Sequence, residues 1–383
     1  MHARIAGFAL LALLECLIFG TAAVAEPRAD AEAALPPETA AAVQRSIDRG
    51  LAFLRSAQDS DGGWGSDFGP AVAAIAAQAF VQDRAHGPTS PVVRRALAYI
   101  QKFEQTDGGI YERQKNLANY QTSVVLMFLA SLDDPDQRAR IARSQAFLGK
   151  LQYDDAESID RDHSWFGGAG YNETKRPDLS NTQMMLEALH QSGLSPDDPV
   201  YQRALVFVSR SQMNGKTNDR AFAKGASDGG FIYSPNDPGE SKASPQAPEA
   251  TGPLRSYGSM TYAGFKSLLY CDVSRDDERI KAAYEWIRQN YELDKNPGMP
   301  GKQAAEGLYY YYHVFARALY AWGDPVVIDA RGTPHNWRID LAKKVISLQR
   351  PDGSWINERD RWLEGDSKYV TALTIQTLQT VIR

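Results

Sequence analysis

The strongest constraint in this 383-residue chain is a unit that recurs along it: an amphipathic segment ending near Gln, a turn rich in Asp and Gly, an aromatic residue, then a second apolar segment. Residues 50–65 read GLAFLRSAQDSDGGWG and residues 96–112 read ALAYIQKFEQTDGGIYE, which aligns Gln58 with Gln105. A third copy runs through AFLGKLQ to Gln152 and, past an insertion, SWFGGAGY to Tyr171. A fourth runs through VFVSRSQ to Gln212 and SDGGFIY to Tyr233. The fifth, AAYEWIRQNYELD, is degenerate at its turn, and the sixth, KKVISLQRPDGSW, ends at Trp355. The turn glycine can take the positive φ that stops a helix. Gln58 or Gln349 can bond the exposed carbonyls, and Trp64 and Trp355 are expected to cover the joints between units. These motifs hold a fold together and do no chemistry.

Two kinds of helix alternate between the turns. In PVVRRALAYIQKF, Val92, Val93, Ala96, Leu97, Ile100 and Phe103 form one stripe, which predicts a half-buried outer helix. Segments such as AVAAIAAQAFV, SVVLMFLASL, TQMMLEALHQ, TYAGFKSLLY, VFARALYAW and YVTALTIQTLQTV are apolar over most of their circumference, which predicts burial on two sides. A helix pair of this kind cannot bury its inner face alone, so neighbours must stack, and six copies favour a closed ring. The expected fold is all-α: an α6/α6 toroid, a double-shell barrel of about twelve helices from six tandem pairs. Such a ring has an axial cavity, one mouth of which is lined by the segments that open the inner helices.

With 43% hydrophobic and 23% charged residues the chain has apolar material for a large core. A net charge of -5 with no basic stripe excludes a nucleic-acid partner. Residues 5–19 form an apolar run after Arg4, and Ala23-Val24-Ala25 precedes Glu26, the pattern of a signal peptide over residues 1–25. The run is too short to span a bilayer and holds Glu15, so no membrane anchor is expected after cleavage. A flexible linker over 26–40 and a single toroid domain over 41–383 complete the expected organisation, with a periplasmic or secreted location. Loss of the leader removes Cys16 and leaves Cys271 without a disulfide partner.

The Gln, Asp-Gly and Trp pattern in QDSDGGWG and QRPDGSW resembles the repeat of the squalene and hopene cyclases and of the protein prenyltransferase β-subunits, over residues 41–383. That resemblance implies an α6/α6 toroid and a hydrophobic, isoprenoid or lipid ligand in the central cavity. Cyclases that protonate an alkene carry D-x-D-D-T at the start of an inner helix. This chain has Asp178-Leu179-Ser180-Asn181-Thr182 there, so Ser180 and Asn181 stand where two acids would be. Asp160-Arg161-Asp162-His163 imitates the motif within a polar insertion and reads as a solvated loop. His313, in GLYYYYHVFARAL, resembles the zinc-binding histidine of the prenyltransferases, but Leu269-Tyr270 precede Cys271 where an Asp is needed. No metal or cofactor is expected.

The candidate catalytic residues are therefore Asp178, Asn181 and His313. The candidate ligand-binding residues are the aromatics at the inner-helix starts: Trp165, Phe166, Tyr171, Tyr257, Tyr262, Tyr309 and Tyr312, whose π-faces suit an isoprenoid, a cation or a sugar ring. At most two of Tyr309 to Tyr312 can face the cavity. Irregular segments at 214–227, 236–255 and 296–307 are expected to be surface loops or lids. Three function classes stay open: a terpenoid-type enzyme, a non-catalytic lipid- or protein-binding scaffold, and a glycan-active toroid using acids such as Asp67, Asp178 and Asp366. On the leader pattern, Edman sequencing of the exported protein should read from Glu26; a chain still beginning at Met1 would exclude cleavage after Ala25.

Overall fold

The computed structural model describes residues 35–65, 69–244 and 254–383; the apolar leader, residues 26–34 of the expected linker and Asp67 lie outside them. Among the described residues there are twelve α-helices, in two alternating sets. The outer set is α1 (Pro37–Ser56), α3 (Pro91–Ile100), α5 (Arg138–Lys150), α7 (Pro199–Arg210), α9 (Glu278–Gln289) and α11 (Trp337–Ser347). The inner set is α2 (Pro70–Val81), α4 (Ala118–Ser131), α6 (Leu179–Gln191), α8 (Gly258–Tyr270), α10 (Leu308–Trp322) and α12 (Ser367–Val381). Helix α1 starts inside the stretch expected to be linker. Proline at its first position has the right φ already, and Glu38 complements the helix dipole.

Each inner helix packs on the next, α12 packs back on α2, and α1 packs on α12 and α11, so the ring of six pairs is closed. The alanines of α2 permit this closeness: eleven of its residues, Pro70 to Phe80, are buried. Closure on the inner side is sealed by Gln376 and Gln379, whose amides donate to the α2 carbonyls of Ile75 and Ala79 at 2.8 and 2.7 Å. No described helix is long and apolar enough to cross a membrane.

The repeated turn explains how one pair grips the next. Gln152 Nε2 donates to the turn carbonyl of Gly167 at 2.9 Å and to Val200, in the first turn of the next outer helix, at 3.0 Å. Gln58 and Gln212 repeat this, reaching Val92 and Arg279. Gln349 does the same across the closure, to Gly353 and to Ser46 of α1, both at 2.9 Å. The turn glycines are required twice over. Gly167 has φ +80° and a Cβ there would lie 1.9 Å from the Arg203 carbonyl; Gly353 has φ +90° and a Cβ 2.5 Å from that of Arg49. Trp355 donates to the Val345 carbonyl at 2.9 Å and fills the space beside Gly50 of α1, as its expected place at the joint requires.

The degenerate fifth unit departs from the pattern. A short antiparallel hairpin, β1 (Val326–Ile328) with β2 (Pro334–Asn336), leads into α11. It lies at the surface, with Ile328 44% exposed, so it adds no sheet to the core.

If Gln349 closes the ring as Gln152 joins two internal pairs, Gln349→Ala and Gln152→Ala should each cost about 1–3 kcal/mol in urea unfolding, because each leaves two carbonyls unpaired. A costly Gln152→Ala beside a neutral Gln349→Ala would mean that the ends do not meet in solution.

Candidate functional site

The inner helices bring their first turns together at one mouth of the ring. One element of each first turn is structural. Thr122, Thr182, Thr261 and Thr371 accept, at 2.9 to 3.1 Å, the backbone N–H of the residue that follows the glycine turn, namely Ile110, Ala169, Phe231 and Trp355. Thr182, the end of the DLSNT motif, therefore belongs to the scaffold in the same way as three threonines that no cyclase motif surrounds.

Asp178, at the other end of that motif, is the N-cap of α6. Its Oδ1 accepts the backbone N–H of Asn181 at 2.9 Å and its Oδ2 accepts Asn181 Nδ2 at 2.8 Å. The Tyr233 hydroxyl also donates to this carboxylate, and Tyr171 bonds Tyr233 and Asn181. Asp178 is buried, and burial pushes its carboxyl up to about 6 although Asn181, Tyr233 and Lys242 pull the other way. Tyr257, buried on the start of α8, and Tyr310 on α10 complete the surroundings. The Tyr310 hydroxyl lies 3.3 Å from Ser180 Oγ and 3.2 Å from Gln183 Nε2, so α10 touches α6 across the ring. Tyr120 of α4 and Tyr369 of α12 share a hydrogen bond in the same way.

A second acid, Glu364, precedes α12. Its Oε1 accepts the Tyr310 backbone N–H at 2.7 Å, it also takes those of Leu308 and Tyr309, and Asn357 Nδ2 donates to Oε2 at 2.6 Å. Glu364 thus caps α10, whose own N-cap is Gly307. Burial pushes its carboxyl up to about 7.

Deeper along the inner helices lies an ionic cluster. Glu187 and Lys266 each stand five positions past the repeated threonines Thr182 and Thr261. Both are buried and paired, and Arg317 of α10 brings its Nε to 3.1 Å from the same carboxylate. Burial opposes the Glu187 charge, but Lys266 and Arg317 hold its carboxyl down to about 2. His313 is buried one turn before Arg317, with Nδ1 3.3 Å from Thr377 Oγ1; burial first, and Arg317 next, drive its pKa down to about 3, so the ring is neutral. No group of three metal-ligating side chains occurs among the described residues.

The sequence candidates separate accordingly. Asp178, Asn181, Tyr171 and Tyr257 come together at the mouth, while His313 sits below with the ionic cluster. Trp165 packs at a tilt on Tyr153 and edge-on against His163 beside the third turn, and Phe166 is buried near it. Tyr262 packs on Tyr311 and Phe315. Tyr312 donates to the Leu293 carbonyl at 2.8 Å, and Tyr309 packs edge-on against Tyr312. Of the four consecutive tyrosines it is Tyr310, not Tyr309 or Tyr312, that reaches the Asp178 layer. Periodicity limited the number facing inward without saying which. Asp160 to His163 form an exposed turn, as expected. Glu364, Glu187, Lys266 and Arg317 were missed. Their signal was legible: one charge in each of three otherwise apolar inner helices, and one acid before the last.

Residues 69–233 match the family model of the squalene-hopene cyclase C-terminal domain. A variant of MstE, a type II terpene cyclase from Scytonema in complex with geranylgeranyl dihydroxybenzoate, is similar over 90% of this chain and 99% of that one, at 12% identity and a TM-score of 0.53. The same cyclase without ligand gives 89%, 98%, 13% and 0.51. A D-mannose isomerase gives 90%, 99%, 10% and 0.55. At such identities the likeness is one of fold. No curated protein sequence is significantly similar to the chain. The protein is thus an α/α toroid, and its residues 69–233 are similar to the squalene-hopene cyclase C-terminal domain.

Two outcomes follow from the buried charges. Glu187→Leu should cost about 3–5 kcal/mol in chemical unfolding, since it strands two cations, and Lys266→Met in the same chain should recover part of that loss. The pKa values of Asp178 and Glu364 lie above the ordinary carboxyl range, so folding favours their protonated forms. Their contribution to stability is full below the unfolded values and is lost as pH rises through about 6 and about 7. Thermal unfolding should therefore fall between about pH 5 and pH 8, less steeply in Asp178→Asn; an equal slope in that variant would remove Asp178 from the account.

Proposed function

We propose that the protein is an enzyme that binds a terpenoid-class ligand carrying an oxygen function at the mouth of the ring, with Asp178 as the general acid at that oxygen. One observation carries this reading: a buried carboxyl, raised to about 6, among the phenols of Tyr171, Tyr233, Tyr257 and Tyr310. An alkene needs a far stronger acid, and Ser180 and Asn181 occupy the positions that would build one. A carboxyl titrating near 6 suits proton transfer to oxygen near neutral pH. The proton passes from Asp178 to a hydroxyl or ester oxygen, the carbon–oxygen bond breaks, water or the acid leaves, and the tyrosine faces stabilise the allylic cation. The Asp178 carboxylate then takes a proton from the carbon next to that cation, which forms the new double bond and restores the acid.

The terpenoid class is supported by the family match over 69–233 and by the likeness to a cyclase whose bound substrate carries a geranylgeranyl chain. Glycan cleavage would use two carboxyl groups facing one gap, and Glu364 is instead engaged in capping α10. The leader at residues 1–25 supports export, so the ligand is one met outside the cytoplasm.

The test is incubation with geranylgeraniol and with squalene, with mass spectrometry of the products and a parallel binding measurement. Geranylgeraniol should lose water and squalene should stay unchanged. The rate should fall as pH rises through about 6, and Asp178→Asn should abolish turnover while leaving binding intact. Full activity in Asp178→Asn would dismiss the acid, and ligand bound but unchanged by the wild type would make the protein a carrier.

A further inference from the structure

Beside the Asp178 layer a cavity of about 360 Å³ opens between the loop that ends the fourth unit, the 3-10 turn Gly301–Ala305 and the loop before α12. Lys242, Ser244, Arg255, Gln303 and Arg361 line it. None of these lies within residues 69–233, so the cavity stands outside the segment that matches the family model.

Its charge is unbalanced. Glu240 pairs with both Lys242 and Arg176, and Glu306 pairs with Arg361. The Arg255 side chain has no hydrogen bond or ion pair among the described residues, so four cations meet two carboxylates. Two guanidinium groups and an ammonium around one cavity form a fork suited to an oxyanion, which planar guanidinium binds through two parallel hydrogen bonds. Ser244 and Gln303 add neutral donors. A chain of side-chain contacts links the cavity wall to the acid: Lys242 Nζ lies 4.2 Å over the Tyr233 ring, and the hydroxyl of that ring is bonded to Asp178. On the far side Arg361 stacks 4.3 Å over Trp362, an indole 42% exposed at the rim. Trp362 and Leu363 both hold positive φ, 54° and 67°, a strained backbone that presents the indole outward.

We propose that this cavity binds the acidic group of the ligand, a carboxylate or a phosphate, and so holds the ligand by one end while an oxygen further along it faces Asp178. The inference rests on the terpenoid reading above for the identity of the ligand, but the oxyanion site stands on its own geometry. It makes the substrate an amphiphile, an isoprenoid acid or phosphate, and not a plain hydrocarbon.

The experiment titrates the full-length mature protein, by calorimetry, with inorganic pyrophosphate, with geranylgeranoic acid and with geranylgeraniol. The wild type should bind pyrophosphate, with an affinity that falls as salt rises, and should bind geranylgeranoic acid about tenfold more tightly than the alcohol, a difference of about 1.4 kcal/mol. In the Lys242→Gln/Arg255→Gln double variant pyrophosphate binding and the preference for the acid should both vanish. Its circular dichroism should match the wild type and its unfolding temperature should fall only by the loss of the Lys242 pair with Glu240 and its contact with Tyr233, because Arg255 holds no side-chain partner among the described residues. Pyrophosphate binding alone would assign the site to phosphate, and acid preference alone to carboxylate; either upholds the oxyanion site. No binding of pyrophosphate and no preference for the acid in the wild type, or binding that survives in the double variant, overturns it. Pyrophosphate bound through Lys242 and Arg255 with neither isoprenoid bound would uphold the site and reject the terpenoid reading.

Discussion

The amide of a glutamine in four of the six units, Gln58, Gln152, Gln212 and Gln349, is the tie on which the rest of this structure depends. It reaches the carbonyl of its own glycine turn and the first turn of the neighbouring outer helix in the same gesture, as Gln152 does to Gly167 and Val200. The glycine makes that reach possible, because its missing Cβ lets the turn lie directly against the neighbour's backbone. A joint of this kind is local and repeatable, so the four of them help to fix a curvature, and Gln349 applied to Ser46 turns the curve into a ring. Everything at the mouth is positioned by that closure, since the first turns of the inner helices meet only when the ring is complete.

The interior of the ring is more polar than the apolar inner helices suggest. Phenols, amides and a carboxyl occupy the mouth, and an ionic cluster of Glu187, Lys266 and Arg317 lies below. Burying ions is costly unless they are paired, and these are paired between helices that the repeat alone would leave interchangeable. Such contacts distinguish α6, α8 and α10 from one another and fix their relative positions, a specificity that uniform alanine and leucine packing would not supply. Tyr310 against Ser180 and Tyr120 against Tyr369 add neutral bridges across the ring.

The DLSNT segment shows how one motif divides between structure and chemistry. Thr182 is one of four threonines that hold the glycine turns, and Asn181 serves as donor to the cap residue beside it. Asp178 alone has a carboxyl whose environment raises it toward neutrality. The insertions then add what the repeat lacks: Glu364 to cap α10, Lys242 to approach Tyr233, and a basic cavity at the edge of the mouth.

The sequence by itself determined the number of repeats, the alternation of half-buried and fully buried helices, the glycine turns and the place of Asp178 at a helix start, because each is a local pattern of hydrophobicity or backbone preference. Only the tertiary structure decided which tyrosine of Tyr309 to Tyr312 meets the acid, that Trp165 and Tyr262 pack elsewhere, that His313 belongs to an ionic cluster, and that Lys242, Arg255 and Arg361 share one cavity. Those facts join residues tens to hundreds of positions apart. Periodicity ranks the faces of a helix, but the angle at which each helix meets its neighbours, set by ring closure, decides which atoms on those faces come within bonding distance.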